Sequence, residues 1–190
     1  MFKNFKWDNE TEVTTNSSSL VIKAAPKSNF FIEPSDGARH LSGQFFYTDC
    51  GGDFVIRAKV TPNFASVYDA CALLAMSGDT CWAKLCFEST DIGTYAVVSV
   101  VTNEVSDDAN GVDIAGDSVY LQLAKKGDVF AMHYSTDGRE YKMVRYFRLP
   151  HSASWKIGFV GQSPTGTGGD RLFDAIELHY EAPANLRKGI

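Results

Sequence analysis

Asp69, Lys84 and Glu88, together with Trp82 and the thiols of Cys71 and Cys86, fall at every-second-residue spacing in two short runs, 68–76 and 81–88, separated by Ser77-Gly78-Asp79-Thr80. Alternate side chains of a strand share a face. Read as strands, the second run therefore puts Trp82, Lys84, Cys86 and Glu88 on one face and Ala83, Leu85 and Phe87 on the other. A turn centred on Gly78-Asp79 would pair Asp69 with Glu88, Cys71 with Cys86 and Leu73 with Lys84, with opposed side chains about 4.5–5.5 Å apart at Cβ. Two carboxylates and a lysine would then cluster around two thiols. Like charges facing each other destabilise a sheet, so the patch needs a cation, from Lys84 or from Arg145 on a later strand, or a ligand. The plainer alternative is a solvated ion-pair lattice on an open sheet. A one-residue slip would abolish the pairing, because it turns each side chain of the strand to the opposite face.

Paired carboxylates on facing strands suit glycosidic bond hydrolysis when about 5–5.5 Å apart (retention) or about 6.5–9.5 Å apart (inversion). Asp69 and Glu88 are the one pair that can be placed this way, and no Glu-x-Asp-x-x-Glu strand accompanies them. His133 sits in a strand pattern between Met132 and Tyr134 with no serine or cysteine arranged as a triad, which makes it a packed or rim histidine. The run Ser163-Pro164-Thr165-Gly166-Thr167-Gly168-Gly169 lacks the lysine of a phosphate-binding loop and does not fit the dinucleotide fingerprint, so it reads as a mobile loop. The acidic stretch 107–113 departs from the calcium-loop spacing and reads as a solvated acidic turn. Cys50, Cys71, Cys81 and Cys86 lack C-x-x-C spacing and read as free buried thiols. No metal site and no cofactor motif is expected.

The elements that must position these residues are strands. Short β-rich runs bounded by Gly, Asp, Asn and Ser recur along the whole chain, at 19–24, 29–32, 44–47, 53–60, 68–76, 81–88, 96–102, 118–125, 129–135, 142–147, 155–161 and 172–180, and no window sustains a helical apolar period. Lys126-Gly127-Asp128 and Thr136-Asp137-Gly138-Arg139, like the turn at 77–80, supply residues that tolerate positive φ between two strands and so imply antiparallel hairpins. In 53–60, Phe54, Ile56, Ala58 and Val60 face the core, whereas 96–102 is apolar on both faces, with Ser99 its polar group, and belongs inside its sheet. The implied fold is all-β, a two-sheet antiparallel sandwich of one domain (1–181) with a short C-terminal surface extension (182–190).

At 190 residues, 44% hydrophobic and 22% charged, the chain has the composition of a globular domain. A formal charge of -5 without a basic run argues against nucleic acid. The absence of a secretory leader pattern and of any long apolar stretch argues for a cytoplasmic protein that does not enter a membrane.

The order of motifs resembles the domain-of-unknown-function family numbered thirteen forty-nine. The resemblance is carried by Gly52-Asp53-Phe54, Tyr68-Asp69, Trp82-Ala83-Lys84 with Glu88, Ser99-Val100-Val101-Thr102, Ser135-Thr136-Asp137-Gly138, Met143-Val144-Arg145, and Gly158 leading to Gln162-Ser163-Pro164-Thr165-Gly166. It implies a concanavalin A-like jelly roll. Two departures stand out: the family's Ser-Asp-Trp is here Ser106-Asp107-Asp108, and its Tyr-Asp-Gln is here Tyr68-Asp69-Ala70. A tryptophan platform is therefore missing, with Trp82 or Tyr68 left to replace it, and one amide is gone. Such folds host lectins, glycosidases and carbohydrate-binding modules, and some relatives regulate carbon metabolism through a protein partner. The expectation is a carbohydrate or related polar ligand bound on a concave sheet by Asp69, Trp82, Lys84, Glu88, Ser99, Arg145 and Gln162. A non-enzymatic protein-interaction module is the alternative, and a glycoside hydrolase ranks behind both.

Overall fold

The structure, a computed structural model, describes residues 1–189. Strands account for all its regular structure: β1 (Lys6–Asp8), β2 (Val13–Thr15), β3 (Leu20–Ala24), β4 (Phe30–Ile32), β5 (Arg39–Leu41), β6 (Gln44–Cys50), β7 (Phe54–Thr61), β8 (Ala70–Gly78), β9 (Cys81–Ser89), β10 (Tyr95–Asn103), β11 (Val105–Asp113), β12 (Val119–Lys126), β13 (Val129–Ser135), β14 (Lys142–Arg148), β15 (Trp155–Gln162) and β16 (Gly169–His179). Two seven-stranded antiparallel sheets form a sandwich, with order β1-β6-β15-β8-β9-β10-β11 in sheet A and β14-β13-β12-β7-β16-β3-β2 in sheet B. The turns read at 126–128 and 136–139 lie where expected, and Gly127 and Gly138 adopt φ of +58° and +74°.

Alternation builds the interior. Phe54, Ile56, Ala58 and Val60 of β7 meet Cys71, Leu73 and Ala75 of β8 and Ala83, Leu85 and Phe87 of β9 in one cluster between the sheets. A second apolar cluster lies on the outer face of sheet A, where Ala72, Leu74, Met76, Trp82, Cys86, Val98 and Val100 are covered by Phe30 and Ile32. These two come from the β4–β5 hairpin, which forms its own small sheet. That cover explains why β10 is apolar on both faces although only β11 separates it from the sheet edge. The outer face of sheet A is therefore partly filled by the chain itself.

Two expectations are corrected. The segment 107–113 is part of β11, not a turn, so its acids alternate between faces. The β8–β9 hairpin has an irregularity between Met76 and Gly78, and its register pairs Ala70 with Glu88, Ala72 with Cys86 and Leu74 with Lys84. This is one residue away from the pairing inferred from the turn, and the slip moves Asp69, Cys71 and Leu73 to the interior. Cys71 and Cys86 consequently lie on opposite faces, and all four cysteines are free thiols.

Residues 182–189 lie against the outer face of sheet B, where Leu186 packs with Val55, Ala124 and Ala131. His133, fully buried, meets the Arg187 carbonyl through Nε2 at 3.2 Å, and burial lowers its pKa. Ile190 lies outside the described residues.

Gly158 marks a close approach of strands. A Cβ there would run into the Phe46 carbonyl oxygen and come within 2.8 Å of the Tyr47 Cα, both backbone atoms of β6. We expect Gly158→Ala to lose about 1–3 kcal/mol of stability through this overpacking. In urea unfolding the midpoint should fall at unchanged slope; an unaltered midpoint would show that β6 and β15 separate at no cost.

Candidate functional site

The register of sheet A sets two rows of mixed polar and small or apolar residues across its strands. Gln162 of β15, Ala70 of β8, Glu88 of β9 and Ala96 of β10 are successive partners across four strands. Because Ala70 is small, Gln162 and Glu88 reach over it, and Gln162 Nε2 donates to Glu88 Oε2 at 3.4 Å. Four residues along the strands, Leu74, Lys84, Val100 and Asp108 form the parallel row. Lys84 is buried and leans between the rows, donating to the Phe30 carbonyl at 2.7 Å and to Gln162 Oε1 at 3.2 Å.

These rows floor a cavity of about 290 Å³ lined by Tyr68, Lys84, Glu88, Val98, Val100, Asp108, Gln162 and Pro164, with Asn29, Phe31 and Glu33 of the β4 region as its far wall. Next to it, Tyr68, Glu88, Thr90, Asp91, Asp108 and Asn110 line a chamber of about 360 Å³ that shares three of those residues. Tyr68 stands at the junction with φ at +67°, a left-handed conformation that costs a tyrosine about 1–3 kcal/mol. Its amide donates to the Ser89 carbonyl at 2.6 Å, which holds it there.

Burial pushes the Glu88 carboxyl up to about 8, against a smaller opposing pull from Lys84, with Asp108 and Asp91 raising it further. The Asp108 carboxyl is also raised, first by burial. Glu88 thus favours its protonated form at neutral pH, in which it can donate as well as accept a hydrogen bond.

Of the residues singled out from sequence, Lys84, Glu88 and Gln162 meet in the cavity and four do not. Asp69 lies in the interior of the sandwich, where its carboxylate takes Ser163 Oγ at 2.6 Å and the amides of Ala65 and Ser66 at 3.0 and 2.9 Å. Arg171 Nη2, from sheet B, lies 2.9 Å from Asp69 Oδ1 without hydrogen-bond alignment, a contact of charge between two groups of zero exposure. Trp82 is fully buried beneath Phe30, edge to face at 6.3 Å, so it offers no open ring. Ser99 pairs with Leu85 and faces the interior. Arg145 Nη2 lies 2.8 Å from Asp107 and Nη1 donates to the Ser99 carbonyl at 3.4 Å, which ties β14 of sheet B to sheet A.

Sequence reasoning missed Asp108, Phe31, Glu33 and Asn29. Asp108 was legible in principle: in a strand, Asp107 and Asp108 must point opposite ways. The three hairpin residues left no local sign, since only the packing of β4 onto sheet A brings them near.

The family described as protein of unknown function (DUF1349) matches residues 7–180. A search of curated proteins finds no match. Among solved structures, a functionally unknown protein from Saccharomyces cerevisiae is 24% identical and superposes with a TM-score of 0.88 over 97% of this chain and 99% of its own. The carbohydrate-binding module CBM66 from Bacillus subtilis is 10% identical, with a TM-score of 0.60 over 94% of this chain and 96% of that one. The exoplasmic/lumenal domain of VIP36, solved in a Ca2+/Man3GlcNAc-bound form, is 8% identical, with a TM-score of 0.57 over 97% and 87%. At these identities the likeness is one of fold.

Proposed function

The chain belongs to the DUF1349 family, of unknown function, and from that premise we propose that it binds a carbohydrate or related small polar ligand on the concave face of sheet A, without breaking a bond in it. The observation that carries this reading is the cavity itself. An apolar floor of Val98 and Val100 is ringed by an amine, an amide and two carboxyls at Lys84, Gln162, Glu88 and Asp108, the combination that orients a hydroxylated ring. The sugar-binding neighbours of the same fold are consistent with it. The carboxylate pair first considered for hydrolysis is divided by the sheet, with Asp69 held in its interior ion pair, and this favours binding over turnover.

A thermal-shift screen against mono- and oligosaccharides tests the reading. A ligand at 100 times its dissociation constant adds about 2.7 kcal/mol of stability, several degrees for a domain of this size. The expected result is a reproducible rise that shrinks in Asp108→Asn, a change at an exposed edge-strand position. No rise with any sugar would defeat the reading and leave the protein-interaction alternative.

A further inference from the structure

The acidic groups of the cavity outnumber its basic ones. Glu33, Glu88 and Asp108 line it and Asp91 lines the adjoining chamber, against the single ammonium of Lys84. Lys84 is directed at the Phe30 carbonyl and the Gln162 amide oxygen, not at an acid. Glu33 has His40 at 4.0 Å, and Asp107, on the opposite face of β11, has Arg145 at 2.8 Å. Among the described residues neither Glu88 nor Asp108 takes part in a salt bridge. Glu88 is only 9% exposed, and its one hydrogen bond is the long contact from Gln162 to Oε2. Its other oxygen is left for whatever enters. A buried carboxyl without a cation keeps its proton, as Glu88 does here, and ionises when a cation is placed beside it; the chain spends its own nearby guanidinium on Asp107.

We propose that the missing counter-ion belongs to the ligand: the joined chambers recognise a primary ammonium carried on a polyhydroxylated ring, an unsubstituted amino sugar, with Glu88 and Asp108 receiving the ammonium and Lys84 and Gln162 facing hydroxyls. The identification of the ring rests on the carbohydrate reading above, whereas the identification of the ammonium rests on the unpaired acids. Anionic sugars meet an excess of carboxyls and are excluded. An N-acetyl group removes the charge the site is built to pair.

Matched ligands separate the two claims. Titration calorimetry at neutral pH and low salt would compare glucosamine and galactosamine with glucose, galactose, N-acetylglucosamine and glucuronate, with cyclohexylamine as an amine that is not a sugar. The amino sugars should bind at least tenfold more tightly than their neutral or acetylated partners, with the preference reduced by salt and lost in Asp108→Asn. Neutral sugars binding as tightly as amino sugars would overturn the ammonium proposal and leave the carbohydrate reading standing. Cyclohexylamine binding as well as glucosamine would support ammonium recognition and remove the sugar. Silence from every ligand would overturn both.

Discussion

Asp69→Ala is expected to destabilise the protein by about 3–5 kcal/mol, because it leaves the guanidinium of Arg171 buried in the sandwich without its counter-charge. The carboxylate is also the acceptor for Ser163 Oγ and for two backbone amides in the 65–66 loop, so the same change orphans three donors. Arg171 is otherwise held by main-chain oxygens: Nη1 donates to the Pro62 carbonyl at 2.9 Å and Nε to the Gln162 carbonyl at 3.2 Å. The pair thus joins β16 of sheet B to the end of β15 in sheet A. Denaturant unfolding should show the loss. The double variant Asp69→Ala with Arg171→Met should recover part of it, since an apolar replacement of both partners removes the uncompensated charge. A single variant as stable as the parent would mean that Arg171 escapes to water. The residue first picked from sequence as a ligand contact is in this structure a fastener between sheets, and loss of binding in Asp69→Ala alone would not distinguish the two roles.

Glu88→Gln should raise stability at alkaline pH, by up to ~5 kcal/mol at and above pH 8. The folded carboxyl titrates near 8 against 4.5 for the free group, because burial outweighs the attraction of Lys84. Between those values the unfolded chain has released the proton while the folded chain keeps it. Stability therefore falls as pH rises through the window, by about 1.4 kcal/mol per pH unit, and this contribution is flat on either side. Glutamine keeps a hydrogen-bonding amide and removes the titration. The melting temperatures of parent and variant should nearly coincide at about pH 4.5 and diverge by on the order of 10 °C by pH 8. Asp108, Asp91, Lys84, Glu33 and Tyr68, which line the same two chambers, are present in both proteins. Parallel curves would show that Glu88 is charged and solvated in the folded state.

Why Glu88 lies on the face that its alternation gives it, whereas Asp69 lies on the opposite face from the one expected, comes down to register. Lys84 and Glu88 lie on one strand, and Trp82 and Cys86 with them; their common face follows from the two-residue period alone. Asp69 was joined to Glu88 through the assumed geometry of a turn. The irregularity between Met76 and Gly78 shifts the partner strand by one residue, and one residue reverses every side chain. Ala70, which looks like a lost amide in the sequence, is the small residue over which Gln162 and Glu88 meet.

What the sequence determined by itself was the set of strands that alternate, the turns that join them, the all-β class and the inward faces of strands such as β7, because these depend on near neighbours along the chain. The outer face of sheet A was decided only in three dimensions. Whether Trp82 is a platform or a core residue depends on whether Phe30 and Ile32, about fifty residues earlier in the chain, fold over it. Whether Asp108 is a solvated turn or a cavity wall depends on β10 accepting β11 as an edge strand. Both outcomes are settled by long-range packing, whose free energy comes from apolar area buried between distant segments and leaves no local periodicity to read.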